Sequence, residues 1–461
     1  MPYSSQTTAK AASGTRPNTA TNAGLIEIQI QYRTVGDLVL DPHNPRQHSQ
    51  RQVNQIADSI REFGFVMPIV IDDTGHVVIG HGRVLAARKL GMPRVPIVEI
   101  RHLSQGQLKA LRIADNRLAQ HAHWDEQLLG ENFLELIELD LDFDLSITGF
   151  SLPEIDLAIQ KVDEGLTVDA DDEADGTTGV PVCRPGDVWQ LGDHRVHCGD
   201  ATCEAAFDKL MNGERAHVVF VDPPYNVPID GHVSGKGKIR HREFAQGAGE
   251  LSREEFIRFL TSNCSLLAKH SENGAVHFLC MDWRHADELL AAGRKVYSEL
   301  KNIVVWVKNN AGMGSLYRSQ HELVFVFKSG TARHTNNVEL GKHGRNRTNV
   351  WHYDSASTQA RKGNNLLELH PTAKPVQLVM DALLDCSNRG EVVLDSFLGS
   401  GTTLLAAERT GRVCRGIELD PIYIDTAIRR WQNLTGRDAV RLSDGRLFRE
   451  IEAELEHGVD E

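Results

Sequence analysis

The sequence predicts an α/β chain of two domains: a smaller α+β domain first, then a larger, mostly parallel sheet covered by helices. Three observations predict it. The chain has 461 residues, too long for one ordinary core. In its second half, short runs of β-branched and aromatic residues alternate with helix-period segments. Between the halves lies a tract carrying Asp163, Glu164, Asp169, Asp171, Asp172, Glu173 and Asp175 among Gly and Thr, which reads as a solvated linker.

Residues 1–24 are polar and rich in Ser, Thr and Ala, and they predict a flexible tail without the apolar stretch of a signal peptide. Residues 25–162 form the predicted first domain. Within it, 68–72 and 77–80 read as strands around an Asp-Thr-Gly turn, and 83–90 as a helix closed by Gly91. Residues 108–118 and 127–139 read as further helices. Residues 163–181 are the linker and 182–461 the second domain. There, 218–221, 275–280, 302–307 and 322–327 read as buried strands, with helices at 254–267 and 287–292. The last part reads strand (392–397), Gly-rich turn (398–403), helix to about Arg409, and strand (413–418).

Composition is globular, at 41% hydrophobic and 25% charged, with no apolar run long enough to span a bilayer. The seven cysteines are scattered without paired Cys-x-x-Cys sets, and none of the 21 histidines forms His-Glu-x-x-His. No metal is implied, and a reduced cytoplasm is the expected compartment. The net charge of −13 does not exclude nucleic acid, because much of the acid sits in the linker. Basic residues gather at Lys236, Lys238, Arg240 and Arg242, and again at Lys342, Arg345, Arg347, Arg361 and Lys362.

The most informative stretch is Val218-Val-Phe-Val-Asp-Pro-Pro-Tyr225. The prolines stop the strand and stiffen the turn. A carboxylate (Asp222), the Pro223 carbonyl and an aromatic ring (Tyr225) are then held together at the strand's C-terminal edge. Such a group can grip a flat ring bearing an amine: two acceptors for the NH2, one ring for the face. The second stretch is the Gly-rich turn. Gly399 and Gly401 let the backbone approach a ligand at a helix N-terminus, and Glu418 ends the next strand about 20 residues on, where an acid can accept ribose hydroxyls. Leu404 stands where the third glycine of a dinucleotide fingerprint would be, so an adenosine ligand without a pyrophosphate fits better.

Asp222-Pro-Pro-Tyr225 after an apolar strand resembles the catalytic motif of the amino-methylating DNA methyltransferases. Asp395-Ser-Phe-Leu-Gly-Ser-Gly-Thr-Thr403 resembles their motif for S-adenosylmethionine (AdoMet), and His370-Pro-Thr-Ala-Lys-Pro375 the segment that precedes it. Cys198-Gly-Asp200 resembles the family's acid that meets the AdoMet adenine. The order of motifs is the permuted one of the β group. The resemblance implies a Rossmann-like methyltransferase sheet, catalytic Asp222, Pro223, Pro224 and Tyr225, and cofactor contacts from Asp200, Asp395, Phe397, Gly399, Gly401, Thr402 and Glu418. It implies further that Thr372 and Lys374 help hold the methionine end. Asp at the first motif position goes with adenine N6 and Ser with cytosine N4, so Asp222 favours adenine, with N4-cytosine the alternative. The target base of double-stranded DNA would be flipped out and stacked on Tyr225. Residues 330–369 lie where β-group enzymes carry target recognition, and Arg345 and Arg347 are the expected DNA contacts. A stand-alone modification enzyme is expected; β-group relatives often dimerise, and the oligomeric state stays open.

Asp41-Pro-His-Asn-Pro-Arg46, Ile79-Gly-His-Gly-Arg83 and Ala114-Asp-Asn-Arg117 resemble the ParB/sulfiredoxin-type nucleotide-binding domain. That resemblance implies a nucleotide, CTP or ATP, at a Gly-rich turn entering a helix. The second Arg of the partition-protein loop is missing, and the domain has no cysteine, which excludes sulfiredoxin chemistry. A second reading of the whole chain is therefore a ParB-like DNA-binding regulator whose methyltransferase half is inactive.

Overall fold

The computed structural model describes residues 28–42, 44–119, 121–139, 143–163, 180–227, 249–309, 311, 316–341, 345–354 and 374–457. It divides into two compact units. One comprises the described residues up to His123 with Phe143–Gly149; the other comprises Trp124–Asp142 and everything from Phe150. No helix among the described residues is long and apolar enough to cross a membrane.

The first unit contains β1 (Ile30–Thr34), α1 (Gln50–Phe63), β2 (Ile69–Asp72), β3 (Val77–Ile79), α2 (His81–Lys89), β4 (Arg94–Ile100) and α3 (Gln105–Ala119). Its sheet runs β1-β4-β2-β3, with β2 parallel to β4 and the outer pairs antiparallel. The β2–β3 turn forms because Asp72 Oδ1 accepts from the Thr74 and His76 amides, while Gly75 takes a left-handed φ of +88°. Ser49 caps α1 through the Gln52 amide. Ile69, Ile71, Val77, Val84, Val95 and Ile97 meet in its core.

The second unit opens with two helices, α4 (Glu126–Glu138) and α5 (Leu152–Asp163). They pack face to face at Gly130, where a Cβ would fall 2.3 Å from the Ala158 carbonyl oxygen. The sequence reading put both in the first domain. Contacts place them with the second, because Asp156 of α5 is buried against two guanidinium groups, those of Arg389 and Arg412, each at 2.9 Å. The segment read as a linker falls mostly outside the described residues.

There follow β5 (Val188–Leu191), β6 (His194–Cys198), α6 (Glu204–Met211), β7 (Ala216–Val221), α7 (Arg253–Lys269), β8 (Ser271–Met281), α8 (Ala286–Val296), β9 (Glu299–Val307), β10 (His321–Lys328) and β11 (Val350–His352). The last elements are α9 (Val376–Cys386), β12 (Val392–Asp395), α10 (Thr402–Thr410), β13 (Val413–Glu418), α11 (Pro421–Thr435), β14 (Val440–Arg441) and α12 (Phe448–His457). Ten strands form one sheet in the order β11-β9-β10-β8-β7-β12-β13-β6-β5-β14. The central five, β8 to β6, are all parallel, and β10 and β5 run antiparallel beside them.

Side-chain alternation splits the core into two layers. Val218 and Phe220 of β7 point to one face, against α9, α10 and α11; Val219 and Val221 point to the other, against α6, α7 and α8. Strands buried on both faces read as unbroken apolar runs, which is why 218–221 stands out in the sequence. The chain leaves β7 toward β8 on one side and β12 toward β13 on the other. Right-handed crossovers then put α7 and α10 on opposite faces, and a crevice opens above the C-terminal ends of β7 and β12. Asp222 and Asp395 stand at its two lips.

Candidate active site

β7 stops at Val221 because Pro223 and Pro224 have no N–H to continue its ladder. Asn226, at a left-handed φ of +54°, holds the turn: its side chain donates to the Leu251 carbonyl and accepts from the Gly249 and Leu251 amides. Inside the turn the Tyr225 hydroxyl donates to Asp222 Oδ1 at 2.6 Å. The Lys374 ammonium donates to Asp222 Oδ2 at 2.5 Å and lies 3.1 Å from Glu322 Oε2. Lys308 pairs with the other oxygen of Glu322. Aromatic rings wall this cluster, with Lys374 5.5 Å from the Tyr225 centroid and 5.8 Å from that of Trp306.

Burial pushes the Asp222 carboxyl above its ordinary range, with the Lys374 ammonium opposing. Glu322 suffers the same burial, but the Lys374 and Lys308 ammonium groups outweigh it and bring its carboxyl down to about 2. Burial disfavours the Lys374 ammonium, and its two carboxylates more than compensate, holding it above its usual range. Burial and the neighbouring carboxylates raise the Tyr225 phenol well above its ordinary value, so it acts as a neutral donor.

Along the same edge, β12 ends in Asp395, whose oxygens accept from Thr403 Oγ1 (2.6 Å) and the Phe397 amide (2.9 Å). Burial pushes this carboxyl up to about 7. The turn that follows needs glycine. Gly401 has φ +88°, and a Cβ there would fall 2.7 Å from the Ala427 Cβ. Its close packing lets α10 begin at Thr402 with its N-terminal amides facing the crevice edge. Glu418 closes β13, and the Gly399 and Asp420 amides each hold one of its oxygens at 2.9 Å. Beside it, just past the end of β6, the Gly199 amide donates to the Glu418 carbonyl, and Asp200 is fixed through Oδ1 by Thr202. Two acids at neighbouring strand ends, a glycine turn and a helix N-terminus make a donor and acceptor set that fits an adenosine-bearing ligand.

A family model described as DNA methylase matches residues 216–429. Another, described as the ParB N-terminal domain, matches residues 20–117, and a third, the ParB-methyltransferase HTH domain, matches 127–185. The chain carries an N6/N4 DNA methylase domain, joined to a ParB-type N-terminal domain and a ParB-methyltransferase HTH domain. The ParB-like nuclease domain-containing protein YnaK of Escherichia coli (strain K12) is 41% identical over 81 residues, 18% of this chain and 93% of YnaK. The type II methyltransferase M.ScaI of Streptomyces caespitosus is 37% identical over 87 residues, which is 19% of this chain and only 29% of that enzyme. Among solved structures, the PvuII DNA methyltransferase (cytosine-N4-specific) matches with a TM-score of 0.41 at 15% identity, over 60% of this chain and 95% of that one.

In this methylase the structure gathers the motif residues unevenly. Asp222, Tyr225 and Lys374 share one cluster, and Asp200, Asp395, Phe397, Gly399, Gly401, Thr402 and Glu418 line the same strand edge. Lys374 differs from expectation: its Nζ lies between two carboxylates, and only its carbonyl, accepting from Thr402 Oγ1 at 3.4 Å, reaches toward the Gly-rich turn. Thr372 lies outside the described residues, as do Lys236, Lys238, Arg240, Arg242, Lys342, Arg361 and Lys362.

Arg345 and Arg347 are not placed to contact DNA. Arg345 is buried, with Nε and Nη2 on Asp385 Oδ1 at 3.0 and 2.9 Å and Nη2 on Asp381 Oδ1 at 3.0 Å. Arg347 bonds Asp385 and the Tyr353 hydroxyl and lies over the Trp351 ring. Their basic run suggested a surface, but Asp381 and Asp385, one turn apart on α9, draw both guanidinium groups inward. Asn337 is likewise structural, donating to the Leu384 and Ser387 carbonyls at the end of α9. Sequence reading missed Glu322, Lys308 and Trp306. The signal available was the charge at the start of an otherwise apolar strand, His321-Glu-Leu-Val-Phe-Val-Phe-Lys328, and register sets Glu322 opposite Trp306.

Proposed function

We propose that this DNA amino-methyltransferase transfers a methyl group from AdoMet to the exocyclic N6 amine of adenine at a specific site in double-stranded DNA. The observation that carries the reading is the Asp222 carboxylate, fixed by Tyr225 at the switch point of the sheet and beside the Asp395–Thr403 turn. When bound, AdoMet supplies a methyl on a sulfonium, which needs only a nucleophile in line. A ring amine is a poor nucleophile because its lone pair is delocalised. Asp222 and the Pro223 carbonyl accept hydrogen bonds from its two N–H groups and localise that pair. The rigid Pro223-Pro224 turn fixes the angle, and Tyr225 offers its ring to the base. Orientation of this kind supplies on the order of 7–11 kcal/mol at best. Glu418 takes the ribose hydroxyls and Asp200 the adenine amine of the donor; Phe397 and Asp395 border its methionine end. No covalent enzyme intermediate is required, and Cys264 and Cys280 are buried among core residues.

Residues 182–461 then form the catalytic domain with target recognition within 330–369, served by groups other than Arg345 and Arg347. The ParB-type unit is the place for a nucleotide, CTP or ATP. What supports this is a cleft over the start of α2, where Gly80 takes φ +101° and Arg46, His48, His81 and Arg83 line the wall.

The test of base choice is to incubate the purified protein with unmethylated DNA and labelled AdoMet, then identify the methylated nucleoside. The reading predicts N6-methyladenine. N4-methylcytosine would overturn the base assignment and keep the mechanism.

A further inference from the structure

Asp222 is the acceptor in this mechanism, yet both its oxygens are already engaged, Oδ1 by Tyr225 and Oδ2 by Lys374. A carboxylate locked to an ammonium is a weak acceptor for a neutral amine. The amine nitrogen also gains positive charge as it takes the methyl, so an ammonium on Asp222 opposes the transition state. Lys374 has somewhere else to go. Glu322, carried by β10, already lies 3.1 Å from its Nζ. Lys308 holds the far oxygen of Glu322 and keeps the near one aimed at the pocket. The rings of Tyr225 and Trp306 line the path between the two carboxylates and favour a cation there. The four charges, two of each sign, balance without a ligand, and a shift of the ammonium along this path leaves the balance intact.

We propose that the Lys374 ammonium passes from Asp222 to Glu322 when the target amine enters, so that Glu322 and Lys374 set the acceptor strength of the catalytic carboxylate. Both are positioning residues; the amine itself meets Asp222 and the Pro223 carbonyl. The proposal rests on the reading that Asp222 receives the amine. It assigns Glu322 a role that neither motif contains.

The test compares kcat and the KM for DNA of Glu322→Gln, Lys374→Met and the double variant in the full chain, with Asp222→Asn alongside and AdoMet affinity measured by calorimetry for each. Gln at position 322 keeps the shape and removes the charge that draws Lys374 away. Lys374 then stays on Asp222, and kcat falls on the order of 10²-fold with KM and AdoMet affinity little changed. Removing Lys374 as well frees Asp222, so the double variant recovers at least about tenfold over Glu322→Gln. A double variant no more active than Glu322→Gln overturns the proposal, and so does weakened AdoMet binding in Lys374→Met, which would put the lysine on the cofactor. Asp222→Asn with undiminished transfer would instead sink the reading of Asp222 itself.

Discussion

Asp395 shows how a single residue couples this site to pH. Burial lifts its carboxyl to about 7, and the direct bonds from Thr403 and the Phe397 amide only partly offset that. Its protonated form is the one the ligand-free fold favours. Its contribution to stability is therefore present below the unfolded value, near 4, and is lost as pH rises through about 7. A cationic ligand next to it reverses the preference. AdoMet affinity should thus rise with pH up to about 7 and level off above it, with proton release on binding below that pH, and Asp395→Asn should flatten that slope. Calorimetry in buffers of different ionisation enthalpy measures both; a slope unchanged in the variant would remove Asp395 from the cofactor site. Gly401 makes a second residue-scale case. Gly401→Ala puts a Cβ in a left-handed turn and 2.7 Å from Ala427, so thermal unfolding should show a loss of about 1–3 kcal/mol, together with weakened AdoMet binding.

At the scale of elements, α9 is held by charges that the sequence presents as surface groups. Arg345 lies between Asp381 and Asp385, and removing one member of such a buried set leaves the others unpaired. Arg345→Ala should cost about 3–5 kcal/mol in unfolding free energy while the folded fraction keeps its affinity for DNA. Lost DNA affinity at unchanged stability would restore Arg345 to the DNA interface. The same contrast explains what could be read in advance. The Asp222–Tyr225 and Gly399–Thr403 turns are legible because their chemistry is local: strand, stop and functional side chain follow one another in the chain. Glu322, Lys308 and the α9 acids are not, because strand register and helix packing bring them to distant partners, Glu322 to Tyr225 across 97 positions, in a way no local pattern records. The strands β5 and β14 are hard to read for a related reason, being short and joined by antiparallel pairing at one end of the sheet.

At the scale of the whole molecule, the order of motifs follows from the sheet. β7 precedes β12 in sequence but lies beside it, so the Asp222–Tyr225 turn and the Gly399–Thr403 turn open onto one crevice although more than 170 residues separate Asp222 from Asp395. The α4–α5 pair belongs to this catalytic unit through Asp156, Arg389 and Arg412 and through Gln160 on Asp381. A protease site introduced within residues 164–179 should therefore leave the two fragments bound on size exclusion, and Asp156→Ala should release them; fragments that separate in the parent chain would show that α5 is not fastened there.

Whether Asp222 is the acceptor for the target amine is decided by single-turnover methyl transfer from labelled AdoMet to DNA with the parent chain and Asp222→Asn. The structure predicts a loss of at least about 10²-fold in the transfer step, with AdoMet affinity preserved, because the Gly399–Glu418 edge is untouched. Transfer at the parent rate in Asp222→Asn would contradict it.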